Sequence, residues 1–155
     1  MQVHPIEGGY FTETYKSGLM IPQSALPSSY PGERSLATAI YYLLTPDTFS
    51  ALHRLRGDEI FHFYLGDPVE ILELPEAGTA EITLLGQDIA GGQKLQHVVP
   101  AGVWQGSRLI VGGEYALLGT TLSPGFDYED YETARQEELI ARYPAYNDKI
   151  LALTR

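Results

Sequence analysis

From residue 10 to residue 122 the chain runs in short segments where apolar and polar side chains alternate, broken by turns rich in Gly, Pro and Asp. A period of two is the mark of a strand with one buried face. It predicts strands over 10–16, 48–55, 59–65, 69–74, 80–85, 93–99, 103–111 and 114–122. Residues 36–44 form a continuous apolar run, which predicts a strand buried on both faces. VEILEL at 69–74 alternates apolar with acidic and predicts one exposed face. About ten short strands with turn signals at roughly 8–12-residue spacing predict an all-β sandwich or barrel.

Two regions depart from the alternation. Residues 22–34 hold three prolines with Ser and Gly, so they predict a long loop. The tail after residue 133 changes period: Leu139, Ile140 and Tyr143 recur at helical spacing, and Thr133 with Gln136 fits a capping box. Pro144 ends that helix, and Asn147 is placed to cap a second short one carrying Ile150, Leu151 and Leu153. A short helical tail packed on the outside of the barrel is expected.

The chemistry concentrates in Ser50–Asp67. As strands, 48–55 and 59–65 joined by Arg56-Gly57-Asp58 predict a hairpin with Phe49, Ala51, His53 and Leu55 on one face, beside Glu59, Phe61, Phe63 and Leu65. That apolar face carries one imidazole and one carboxylate. Such a face is either the wall of a ligand cavity or a core holding two polar groups that must satisfy each other, since a buried charge without a role is costly.

Composition narrows the function classes. The 155-residue chain is long enough to bury a core and reads as one domain, 1–155. Twenty acidic against 10 basic residues give a net charge of −10, which repels phosphate backbones and argues against nucleic-acid binding. The lack of cysteine excludes disulfides, thiolate catalysis and cysteine-ligated metals. With no apolar leader and no apolar run of about 18 residues, neither secretion nor membrane insertion is indicated, and a cytoplasmic location is expected.

Gly66 lies seven positions after Glu59, and His53 lies six before it. This spacing resembles the first cupin motif, two histidines one residue apart followed by a glutamate and a glycine. Pro100-Ala101-Gly102-Val103-Trp104-Gln105 resembles the second, a Pro-x-Gly followed by a histidine. HPIEGGYFTETYKS, DEIFHFYLGDP, VVPAGVWQ and EYALLGTTLSPGFDY are similar to one small branch of that superfamily, described as predicted sugar epimerases. The resemblance covers almost the whole chain. It implies the cupin double-stranded β-helix, a conical antiparallel barrel with a short C-terminal helical tail, and by analogy a homodimer.

The departures from the family pattern shift the chemistry. Leu55 stands at the second histidine position and Gln105 at the third. Two of four metal ligands remain, His53 and Glu59, so no metal cofactor is expected; were a divalent ion held, these two would hold it. The related nucleotide-sugar epimerases work without a catalytic metal, using a His base and a Tyr acid next to a carbonyl. By that resemblance His53 is the general base, Glu59 its partner, and Tyr115 the first choice of acid, with Tyr10, Tyr41 and Tyr128 as alternatives. Gln105, Phe61, Phe63, Trp104, Arg34 and Tyr10 are the predicted ligand-binding residues. Glu7, Tyr10 and Glu13 form an acidic, aromatic strand that can close the barrel mouth, whereas His4 and His97 are expected at the surface and His62 on the outer face. The expected function is a metal-independent epimerase or isomerase of a carbohydrate-like carbonyl compound. The alternatives are a non-catalytic binder of a sugar or nucleotide and a metal-dependent cupin oxygenase or isomerase.

Overall fold

The computed structural model describes residues 1–154. Its strands are β1 (Gln2–Val3), β2 (Tyr10–Lys16), β3 (Met20–Ile21), β4 (Arg34–Ser35), β5 (Thr38–Leu44), β6 (Phe49–Leu55) and β7 (Glu59–Gly66). They continue with β8 (Val69–Leu74), β9 (Glu81–Leu85), β10 (Gln96–Val99), β11 (Trp104–Leu109), β12 (Ala116–Leu122) and β13 (Tyr131–Thr133), before α1 (Gln136–Arg142) and α2 (Asn147–Ala152). Among the described residues, no helix is long and apolar enough to cross a membrane.

Two antiparallel sheets dominate, in the orders β1-β2-β5-β12-β7-β10 and β13-β6-β11-β8-β9, with β3-β4 as a separate ribbon. Tyr42, Phe61, Phe63 and Leu118 of the first sheet meet Val69, Ile71 and Leu109 of the second in one buried cluster. This is the antiparallel barrel that the resemblance implied. Each such side chain taken out of water contributes about 1.5–3 kcal/mol before conformational entropy is charged against it.

The strand pattern was legible, but three details differ. β5 is buried on one side only: Thr38, Tyr42 and Leu44 point inward while Tyr41 is exposed. β8 is buried on both sides, because Leu72 and Leu74 meet Leu139, Tyr143, Ile150 and Leu153 of the helical tail. Most consequentially, β6 and β7 do not pair. β6 lies in the five-stranded sheet and β7 in the six-stranded one, so Arg56-Gly57-Asp58 crosses between sheets. His53 and Glu59 therefore face the interior from opposite walls.

The helical tail packs where expected but starts differently. α1 begins at Gln136 after Arg135, with no side-chain cap, so the Thr133 capping box does not form. Thr133 is instead the last residue of β13, paired with His53 of β6. Asn147 is the first residue of α2, not its cap.

β6 carries a bulge at the position that matters. Gln105 pairs with His53 and Ser107 with Ser50, so Ala51 and Leu52 together oppose Gly106. The backbone groups freed there are all used. Ala51 N–H donates to the Glu7 carbonyl at 2.9 Å, and Leu52 N–H to the Leu153 carbonyl at 2.7 Å. The Leu52 carbonyl accepts from Ala134 N–H at 3.0 Å. A side chain at 106 would meet Leu52 Cγ and the Ser50 carbonyl, both at 3.1 Å, which explains the glycine. The bulge lets Ser50 and His53 both face inward although they are three positions apart.

Candidate active site

The bulge sets the state of His53. Its Nδ1 lies 2.7 Å from the Ala51 carbonyl, which can only accept, so Nδ1 carries the proton. Nε2 is then a lone pair. It lines the cavity, makes no hydrogen bond among the described residues, and lies 3.9 Å from Glu7 Oε2. Tyr131 stacks flat on the ring, 4.7 Å centroid to centroid, and holds its plane. Burial lowers the His53 pKa, opposed by the charge of Glu59 and by the Ala51 bond. The ring is thus kept as a neutral base with its acceptor nitrogen toward the cavity.

Glu59 faces it from β7. Gln105 Nε2 donates to Glu59 Oε2 at 2.8 Å, and the carboxyl is 7% exposed. Burial pushes its pKa up to about 7; His53 pulls against this and Glu7 reinforces it. Near neutrality Glu59 is therefore divided between acid and carboxylate.

Glu7 arrives from the segment before β2. Its carbonyl is tied to Ala51, its amide N–H donates to His4 Nδ1 at 2.9 Å, and Ser50 Oγ donates to its carboxylate at 2.5 Å. The turn that follows requires Gly9, at φ 67°, because any side chain there would lie 2.6 Å from the Tyr42 hydroxyl. Tyr42 in turn donates to the Gly8 carbonyl at 2.5 Å. His4, 5% exposed, packs edge-on against Phe11 at 5.0 Å, and burial lowers its pKa.

The cavity between these groups holds about 650 Å³ of empty space, its open mouth included. Phe11, Ile40, Leu55, Leu122 and Phe126 supply its apolar wall, and Glu13 and Tyr128 reach it as well. Size and lining suit a small organic molecule.

The expected site residues divide. His53 and Glu59 line the cavity, and Gln105 lies behind Glu59. The other predicted positions lie elsewhere, each for a physical reason. Tyr115 precedes β12 and is 45% exposed, outside the cavity wall. Phe61 and Phe63 sit deeper along β7, in the barrel core, since each step of two residues moves about 7 Å along a strand. Trp104 points outward and stacks on the Arg54 guanidinium at 4.5 Å. Arg34 is committed to Asp130 through bonds of 2.7 and 2.8 Å and does not reach the cavity. Tyr10 is displaced by its neighbour: Phe11 pairs with Tyr42 and takes the inward place. His62 faces outward as expected, bonded to Thr121 at 3.1 Å.

Two expected surface histidines are not at the surface: His4 joins the cavity, and His97 pairs with buried Glu73 at 2.5 Å. Tyr128, one of the alternative acids, lies on the connection after β12 and lines the cavity, whereas Tyr131, which opens β13, was not singled out because its segment has no periodic pattern. Asp130 pins that connection, receiving Arg34 and, at 3.2 Å, Arg56. Glu7 and Glu13, read as part of an acidic segment at the barrel mouth, both line the cavity.

A four-ligand metal centre does not fit these residues. Leu55 and Gln105 occupy two ligand positions, Gln105 is spent on Glu59, and no cluster of three His, Asp or Glu side chains able to hold an ion occurs among the described residues.

A barrel with an apolar, acid- and imidazole-lined cavity defines a small-molecule-binding domain. Residues 1–134 match the family described as Cupin superfamily (DUF985), and the chain belongs to that family. The uncharacterized protein YML079W of Saccharomyces cerevisiae is 32% identical over 141 residues, covering 85% of this chain and 70% of its own. A hypothetical protein from Leishmania major superposes with a TM-score of 0.87 at 30% identity, covering 99% of this chain and 92% of its own. Protein SO0799 from Shewanella oneidensis superposes at 0.84 with 33% identity, covering 99% and 90%.

Proposed function

We propose that the protein is a metal-independent isomerase or epimerase that moves a proton on a carbon next to a carbonyl, with His53 as the base. The carrying observation is the imidazole itself: Nδ1 is fixed as the donor to Ala51, and the Nε2 lone pair meets the cavity without a hydrogen-bonding partner among the described residues. A neutral imidazole near pH 7 is suited to take a carbon-bound proton. Glu59, with its pKa near 7, supplies the acid. In its protonated form it donates to the carbonyl oxygen as negative charge develops there, while Gln105 holds its other oxygen. Tyr128 replaces Tyr115 as the phenol within reach of the cavity, and it returns a proton to the carbon from a second direction. Burial raises the Tyr128 pKa, so the phenol keeps its proton until a strong carbon base forms.

The test is hydrogen exchange in deuterated water. Aldoses and ketoses of three to six carbons, with their amino derivatives, are incubated with the protein and followed by proton NMR. Loss of a signal α to the carbonyl in at least one compound, abolished by His53→Ala, is the expected result. Exchange that persists in the variant, or no exchange in any compound, overturns the reading.

A further inference from the structure

We infer that the cavity selects a ligand carrying a protonated amino group and excludes phosphates and carboxylates. This rests on the same cavity as the proposed function but not on proton transfer. The charged groups offered to a ligand are carboxylates, while the donors are neutral: the Tyr128 hydroxyl and His4 Nε2–H, since His4 Nδ1 accepts from Glu7 N–H. Glu7, Glu13 and Glu59 all line the space, and the free nitrogen of His53 is a lone pair. Thr38 Oγ1 already accepts from Phe126 N–H at 2.9 Å, so its hydroxyl proton is what remains to offer. Among the described residues, no lysine or arginine lines the cavity. Arg34, a buried cation expected among the ligand groups, is held by Asp130 and Glu129.

The histidines do not supply positive charge either. Both His53 and His4 are lowered by burial, so they are neutral at pH 7. A phosphate or carboxylate entering here would lose its water against three carboxyl groups and gain no cation in return. An ammonium group meets the opposite situation. Glu7 and Glu59 flank His53, and Phe11, Phe126 and Tyr128 present aromatic rings to the same space. Phe126 and Tyr128 meet edge to face with centroids 5.1 Å apart, an arrangement that leaves ring surface for a cation. The whole chain, at −10, steers cations toward it. A nucleoside diphosphate sugar is therefore a poor match, and an amine-bearing carbonyl compound a good one.

One ring with three head groups tests this: cyclohexylamine, cyclohexanol and cyclohexanecarboxylate, titrated at pH 8 and low salt while the histidine ring protons are followed by NMR. The amine is expected to bind about tenfold or more tightly than the alcohol, to shift the His4 and His53 signals, and to weaken with added salt. The carboxylate is expected not to bind. Glu7→Gln and Glu13→Gln together should reduce the preference to about twofold, and Glu13→Gln alone, which leaves the Ser50 contact intact, should reduce it in part. Carboxylate binding equal to amine binding, a preference unchanged in both variants, or no binding by any ring would overturn the inference. Failure of deuterium exchange with retained amine preference would remove the isomerase reading and leave this one standing.

Discussion

Among the described residues, two imidazole–carboxylate pairs are largely withdrawn from solvent, and they are built differently. His97 of β10 meets Glu73 of β8 at 2.5 Å, with Lys94 Nζ 3.4 Å from the other ring nitrogen. That pair ties one sheet to the other and leaves no space between its members. His53 and Glu7 stand 3.9 Å apart with a cavity opening between them and Glu59. A closed pair spends its hydrogen-bonding capacity within the protein and acts as a strut. An open pair keeps the imidazole lone pair turned to the cavity, and that is what a ligand can use. The difference arises in the backbone: Nδ1 of His53 is occupied by the bulged Ala51 carbonyl, whereas both nitrogens of His97 face side chains.

The largest effect should come from exchanging the same residue in the two pairs. His53→Gln is expected to lower any carbon–hydrogen exchange rate by about 10²–10⁴-fold, the usual contribution of a general base. His97→Gln should leave that rate within about twofold of the parent. A comparable loss in both variants, measured by the same NMR assay, would erase the distinction between site and strut.

Next in size is the pH dependence of stability at Glu59. Its folded pKa of about 7 exceeds the ordinary 4.5, so between these values the native state keeps a proton that the unfolded chain has released. The contribution of the neutral carboxyl is full below about 4.5 and lost as pH rises to about 7. Glu59→Gln should flatten the parent's decline over that window by about 3 kcal/mol, at ~1.4 kcal/mol per pH unit. His4 and His53, lowered by burial, act in the opposite direction, so the informative quantity is the difference between parent and variant in denaturant unfolding.

The smallest expected change is at the strut. His97→Ala leaves Glu73 buried without its partner and should cost about 2 kcal/mol, read as a lowered denaturation midpoint with ligand binding intact. A loss of amine binding there would mean that the two pairs are coupled.

Much of this was legible in the chain, for identifiable reasons. A period of two writes itself into sequence, so the strand content, the inward side of His53 and Glu59, and the outward side of His62 could be read directly. The covering of Leu72 and Leu74 by a helical tail could be anticipated in kind, though not that it would bury the second face of β8. Sheet membership could not be read, because a crossing and a hairpin use the same turn residues; hence β6 and β7 looked like neighbours. His4, Glu7 and Tyr128 sit in aperiodic segments, where position is decided by backbone hydrogen bonds to distant strands. Trp104 and Arg34 looked like ligand groups because sequence does not show that Arg54 and Asp130 already occupy them.

The bulge in β6 also bears on the order in which the protein assembles. Adjacent residues Ala51 and Leu52 bind the carbonyls of Glu7, near the start of the sequence, and Leu153, near its end. The Leu52–Leu153 contact joins positions farther apart in the chain than the β5–β12 pairing of Thr38 with Leu122, so its loop-closure entropy must be met before it returns any stabilisation. The strands can pair while the bulge beside the base still lacks its contact with the tail. Competence for binding should therefore lag behind recovery of β-structure during refolding, with the last step being the docking of the helical tail onto Leu52.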